Sequence, residues 1–316
     1  MCTAISTNGF FGRTLDIERS YNEQIVIAPR KYCVEFLYEG ASPNHPAIIG
    51  VATVEKNIPL YYDAMNEHGL AVAGLNFPVS AVYNGKKEGK YNVASYELIP
   101  FVLANCRTAK EAKELLKNTN VTADSFSHSL KASPLHWIVA DKEFSIIVEP
   151  TEAGLQIYDN DFGVLTNEPP FLYHMSHVCE FLQLSNSTPH NSLCPQFAIS
   201  PYSRGMGAMG LPGDYSSSSR FIRAIFTKNC TELYNDGVNR FFHIMDTVTV
   251  PYGCVKTAEG KNSFTLYTSC ADLNEKSYHY VTYANREIKT VKLDAERAGG
   301  KYLVAIPMHK HGERDR

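Results

Sequence analysis

Cys2 stands directly behind Met1. Removal of Met1, which a small second side chain permits, would leave a thiol and a free α-amine on one residue. An α-amine titrates at about 7.7–8.0 and a thiol at about 8.5, so the amine can take the thiol proton near neutral pH. One residue would then carry nucleophile and base together. An attached Met1 turns that amine into an amide and abolishes its basicity. Acyl transfer also needs charge beside the thiol and donors for the developing oxyanion. Arg13 would favour the thiolate, and Asp16 would hold the amine by a charge-assisted hydrogen bond. Asn76, before Phe77-Pro78, and Asn167, between Gly163-Val164-Leu165-Thr166 and Glu168-Pro169, end extended segments where such donors belong. Those positions suit turn-forming asparagines equally well.

The elements that must position these residues are mostly strands. Thr3–Ser6 and Phe10–Leu15 flank Asn8-Gly9, the preferred pair for a tight hairpin turn, and the returning strand carries Arg13 and Asp16 back past Cys2. Extended segments are predicted at 24–30, 34–38, 47–54, 60–65 and 70–77, then at 136–140, 145–149, 154–158 and 163–166, and last at 263–268, 278–283 and 288–293. Residues 79–94 read as an exposed loop. Helical spacing marks 96–104, 108–116, 171–184, 218–226 and 238–247, the second opening on the capping-box pair Thr108 and Glu111. Strand groups separated by helical pairs, without regular βα alternation, predict an α+β protein of antiparallel sheets covered by helices. No linker breaks the pattern, so one domain over 1–316 is expected. The segment 309–316 reads as a polar tail.

Thirty basic and thirty-three acidic residues give a net charge of −3, which offers no electrostatic basis for nucleic acid or an anionic membrane as partner. No apolar run has the length of a membrane span, and no secretory signal is visible. The eight cysteines form no CxxC pair, so neither a disulfide framework nor a zinc site is expected, and a reducing cytoplasm is the expected setting. Gly205-Met206-Gly207-Ala208-Met209-Gly210 is a literal GxGxxG, but Pro212-Gly213 opposes a following helix and no βαβ unit surrounds it. It reads as a loop, not a dinucleotide site. His174 and His177 share a helix face without a third ligand, and His136 reads as a core histidine. No cofactor is called for.

Several longer motifs in order carry a resemblance. Cys2-Thr3-Ala4 with Phe11-Gly12-Arg13-Thr14-Leu15-Asp16 closely resembles the start of the choloylglycine hydrolase family. Asp63 through Leu70, Ala73 through Pro78, Gly163 through Asn167, and Leu211-Pro212-Gly213-Asp214 through Ser219-Arg220-Phe221 match it too. The resemblance spans the whole chain. It implies an N-terminal nucleophile hydrolase with a four-layer αββα sandwich, usually a homotetramer. It also implies that the amide joining a bile acid to glycine or taurine is cleaved without a cofactor. By the same resemblance Cys2 is nucleophile and base, Arg13 and Asp16 tune it, Asn76 and Asn167 serve the oxyanion, and Arg220 completes the polar site. Penicillin V acylase is the alternative within the family, and many such acylases carry Tyr where this chain has Asn76. The hairpin turn is shorter than in many relatives. Leu15, Tyr61, Phe77 and Met206 are candidate walls for a steroid pocket, and Arg204 is a candidate partner for a taurine sulfonate.

Overall fold

In a computed structural model, residues 1–234 and 236–308 are described; the predicted polar tail lies outside them. Two antiparallel sheets stack face to face. One runs in the order Val164–Leu165, Cys2–Thr7, Phe10–Ile17, Asn262–Asp272, Ser277–Thr282, Lys289–Lys292, with Val255–Lys256 also paired to the fourth strand. The other runs Gly154–Asp159, Ser145–Thr151, Leu135–Ala140, Ala71–Asn76, Ile58–Asn66, Ile48–Glu55, Gln24–Ala28, Val304–Pro307. Helices Leu98–Asn105 and Ala109–Lys117 cover the second sheet, and helices Ser217–Cys230 and Gly237–Asp246 cover the first. This is the four-layer αββα arrangement. Among the described residues no helix is long and apolar enough to cross a membrane.

Alternation of side chains across each strand divides the core. Ile25, Ile27, Ile49, Val51, Met65, Ala73 and Leu75 point from the second sheet toward the first. Their neighbours Val26, Ile48, Ala52, Ala64 and Val72 point the other way, against Leu98, Val102 and Leu116 of the covering helices.

The N-terminal hairpin forms as the sequence predicts. Asn8 and Gly9 both take positive φ, at 50° and 80°, the geometry that Asn-Gly tolerates best. Cys2 pairs with Leu15 and Ala4 with Arg13. The following strand Asn262–Asp272 crosses so close that a Cβ on Gly12 would lie 2.0 Å from the Ser269 carbonyl oxygen. Only glycine lets the site-bearing strand join this sheet there.

Three elements differ from expectation. The predicted strand 263–268 extends to Asp272. The predicted helix 171–184 is α-helical only over Phe171–His177, then tightens into a 3-10 turn, Val178–Phe181. Within the predicted loop 79–94, Tyr91–Ala94 pairs in parallel with Thr119–Thr122. At the second helix Thr108 accepts from the Glu111 amide, while the Glu111 carboxylate reaches the Arg107 amide, one residue earlier than in a capping box.

Candidate active site

Cys2 opens the first strand, and the pleat puts it and Arg13 on the face toward the second sheet. There Arg13 is 1% exposed. Its Nη2 donates to Cys2 Sγ, Nη1 donates to Gly74 O at 2.5 Å and Tyr62 O at 3.3 Å, and Nε donates to Thr14 O at 3.0 Å. Burial opposes the Arg13 charge, but the charges of Cys2, Tyr267, Asp63 and Asp16 outweigh it and raise its pKa. The guanidinium therefore stays cationic against the sulfur.

Thr3, Thr14 and Asp16 point to the opposite face, toward helix Ser217–Cys230. Ser216 caps that helix by accepting from the Ser219 amide, which fixes Arg220 one turn inside it. The fully buried Arg220 donates to Cys2 O at 2.5 Å, Thr3 Oγ1 at 2.7 Å, Asn167 Oδ1 at 2.8 Å and Tyr215 O at 3.0 Å. Burial pulls its pKa down, and the nearby Asp16 and Cys2 act against that fall. Two buried arginines thus approach Cys2 from opposite faces of one sheet.

The Asp16 carboxylate, also fully buried, accepts from Thr14 Oγ1 at 3.0 Å and Thr265 Oγ1 at 2.6 Å. Its backbone pairs with Met1, whose terminal amine donates to Asp16 O at 2.7 Å. The nitrogen of Cys2 donates to Asn167 Oδ1 at 2.8 Å. In this Met1-bearing chain Asn167, not the Asp16 side chain, accepts from that nitrogen.

Asn167 follows the strand Val164–Leu165, which pairs with Cys2–Thr7. Its Nδ2 donates to Asn76 O and its amide to Ser217 Oγ, both at 2.8 Å. Its carbonyl accepts from His174 Nε2 at 3.0 Å. Thr166 O sits 3.0 Å from Nε2 of His136, whose Nδ1 lies 3.1 Å from Glu149. Glu168 then ties this segment to the one after Asn76, accepting from the Val79 and Ser80 amides. Asn76 itself is exposed, and its side-chain amide has no hydrogen-bond partner among the described residues.

Burial holds the His174 pKa down at about 4. With Nε2 donating to Asn167 O, its Nδ1 is an unprotonated, buried acceptor without a partner among the described residues. The ring stacks on Phe221, 4.8 Å between centroids.

Side-chain contacts therefore join Cys2, Arg13, Asn167 and Arg220 at one end of the hairpin, and Asp16 and Asn76 reach this group through backbone atoms. Residues 2–304 match the family model for linear amide C–N hydrolases of the choloylglycine hydrolase family. The chain belongs to that family. A bile salt hydrolase/transferase from Lactiplantibacillus plantarum is 44% identical over 319 residues, 99% of this chain and 98% of its own length. A crystallised variant of the conjugated bile acid hydrolase of Clostridium perfringens superposes with a TM-score of 0.90 at 33% identity, covering 98% of this chain and 97% of that one. The penicillin V acylase of Agrobacterium tumefaciens shares the fold, with a TM-score of 0.72 at 20% identity over 93% of this chain and 86% of that one.

The expected pocket walls fare unevenly in this choloylglycine hydrolase. Leu15 lies across the hairpin from Cys2 in the same core. Tyr61 does not face the site. It packs in the outer core beneath the helices, because a bulge in the pairing at Val51/Ala52 breaks the two-residue alternation. Tyr62, whose carbonyl receives Arg13, is its neighbour on the site side. Phe77 is fully buried and stacks on His136 at 4.2 Å, so it backs the Asn76 segment instead of lining an open wall. Arg204 is exposed, and Met206 is half-buried in a short 3-10 turn. That turn follows Gly205 at φ 80° and opens no α-helix, so the GxGxxG has no dinucleotide geometry. Among the described residues no group of three or more His, Cys, Asp or Glu is placed to hold a metal ion.

Sequence reasoning missed the supports Thr265 beneath Asp16 and Ser217 and His174 around Asn167, while Asp63, a residue that could hold carboxylate chemistry or serve turn polarity, lies behind Arg13. For Asp63 a signal existed, since a carboxylate inside the apolar run Leu60–Met65 is out of place unless paired.

Proposed function

We propose that this enzyme hydrolyses the amide bond of glycine- and taurine-conjugated bile salts, releasing free bile acid and amino acid through a Cys2 thioester. The observation that carries the reading is the convergence of Arg13, Arg220 and Asn167 on Cys2 in a chain so similar to the Lactiplantibacillus plantarum hydrolase/transferase.

After loss of Met1, the α-amine takes the Cys2 thiol proton and the sulfur attacks the amide carbonyl carbon. Arg13 stabilises the thiolate. Asn76 and Asn167 stabilise the tetrahedral oxyanion: the first has a free amide, and the second spends one Nδ2 proton on Asn76 O and keeps the other. The carbon–nitrogen bond breaks as the α-ammonium gives its proton to the departing glycine or taurine nitrogen. Water, deprotonated by the α-amine, then cleaves the thioester and restores the thiol. Asp16 and Arg220 hold the amine and the Cys2 backbone in register. Leu15 and the segment bearing Met206 border the steroid, and Arg204 meets a sulfonate or carboxylate at the rim. The chain works as one domain, in a homotetramer, in the cytoplasm.

The test is hydrolysis of taurocholate, glycocholate and penicillin V by protein shown by intact mass to lack Met1, with Cys2→Ala as control. Bile salt cleavage that disappears in the control is the expected result. Cleavage of penicillin V alone would move the enzyme to the acylase branch, and activity surviving in Cys2→Ala would remove Cys2 from the mechanism.

A further inference from the structure

Behind Arg13, on the side away from Cys2, a second carboxylate is buried between the sheets. Asp63 is 1% exposed. Oδ1 accepts from Tyr267 Oη at 2.7 Å, and Oδ2 accepts from Ser269 Oγ at 2.8 Å and from Tyr278 Oη. The Ser269 hydroxyl accepts from the Arg13 amide at 3.1 Å, so one side chain joins the Asp63 carboxylate to the Arg13 backbone. Burial and the Asp63 charge push both tyrosines well above their ordinary pKa. Their hydroxyls therefore remain donors, and Asp63 remains the acceptor. Burial raises the Asp63 carboxyl, with Arg13 and the three hydroxyls acting against the rise.

Charge counting gives this cluster a purpose: passing the thiol proton to the α-amine leaves the sum unchanged, so the surplus of one positive charge comes from two arginines facing one aspartate. Once the thiol has passed its proton to the α-amine, the buried site holds three positive groups: Arg13, Arg220 and the α-ammonium. The Cys2 thiolate and Asp16 supply only two negative charges. An unbalanced buried charge is costly. Asp63 supplies the missing one.

On the proposed role of Cys2, we propose that Asp63 is a positioning residue for the reaction, the buried counter-ion of Arg13 that sets how readily the neighbouring thiol and α-amine give up their protons. Arg13 keeps its carbonyl cradle of Thr14, Tyr62 and Gly74 without Asp63. Removing only the charge therefore leaves Arg13 against the sulfur and makes the surroundings more positive. The thiol and the amine both titrate lower.

The experiment is the pH dependence of Cys2 alkylation by iodoacetamide in Met1-free protein. It is read by mass mapping of residue 2, because exposed Cys33, Cys179 and Cys254 also react. Asp63→Asn, nearly isosteric, is expected to move the midpoint about one pH unit toward acid. The pH profile of kcat/KM should follow. An unchanged midpoint, or one moved toward alkaline pH, overturns the proposal. If Asp63→Asn does not fold, Tyr278→Phe takes its place. Stripping one hydroxyl from the carboxylate favours its neutral form, so a smaller acid shift is expected, and none refutes the role. Activity persisting in Cys2→Ala would instead defeat the functional reading beneath it.

Discussion

Acid should weaken this protein through His174 in particular. The neutral ring donates to the Asn167 carbonyl and leaves the unprotonated Nδ1 buried without a donor among the described residues. Protonation would place a charge and an unmatched N–H in that spot, so burial holds the pKa at about 4 against an ordinary 6.5. A histidine depressed in the folded state binds fewer protons there than when unfolded. Stability therefore falls as pH drops from 6.5 toward 4 and is fully present only above 6.5. With about 1.4 kcal/mol per pH unit across that window, the loss is about 2 kcal/mol by pH 5 and about 3 kcal/mol by pH 4. Urea denaturation at pH 7, 6 and 5 measures it, with His174→Gln as reference, since Gln keeps an N–H donor but does not titrate. The wild-type curve should fall more steeply than the variant's by about 2 kcal/mol between pH 7 and 5. Parallel curves would show that His174 is already charged or solvated, and the reasoning would fail.

Two further outcomes follow from the same contacts. Asn167→Ala in Met1-free enzyme should lower kcat/KM by about 100–1,000-fold, and a value within a few-fold of wild type removes Asn167 from the oxyanion site. Gly12→Ala should cost about 1–3 kcal/mol in urea unfolding, because its Cβ cannot share space with the Ser269 carbonyl; an unchanged midpoint would mean the strands separate freely there.

Local chemistry made much of the site readable from the chain. Asn8-Gly9 sets the hairpin, the hairpin sets the Cys2 to Leu15 register, and that register carries Arg13 and Asp16. What stayed hidden depends on pairing between distant strands. Asp63 meets Tyr267, Ser269 and Tyr278 across more than two hundred residues. The residues after Thr268, Ser269-Cys270-Ala271, lack the β-branched bulk that marks a strand. The orientation of Tyr61 is hidden for a related reason, since it is set by the bulge opposite Val51, which turns the residue to the outer core. The helix at 171–184 shortened because spacing alone does not separate an α turn from the tighter 3-10 turn that follows it.

Asn167 shows why these hidden contacts matter to catalysis. Its amide is fixed by Ser217, its carbonyl by His174, its Oδ1 by Cys2 N and Arg220, and its Nδ2 by Asn76 O. A donor held at every polar atom needs no reorientation when an oxyanion forms, which is where such dipoles gain most of their effect. The same Oδ1 already accepts from the nitrogen that becomes the α-amine. Loss of Met1 changes that nitrogen from amide to amine and frees the Asp16 backbone that now pairs with Met1. On the proposed mechanism, processing therefore creates the base inside an existing hydrogen bond, and the oxyanion donor beside it does not have to move.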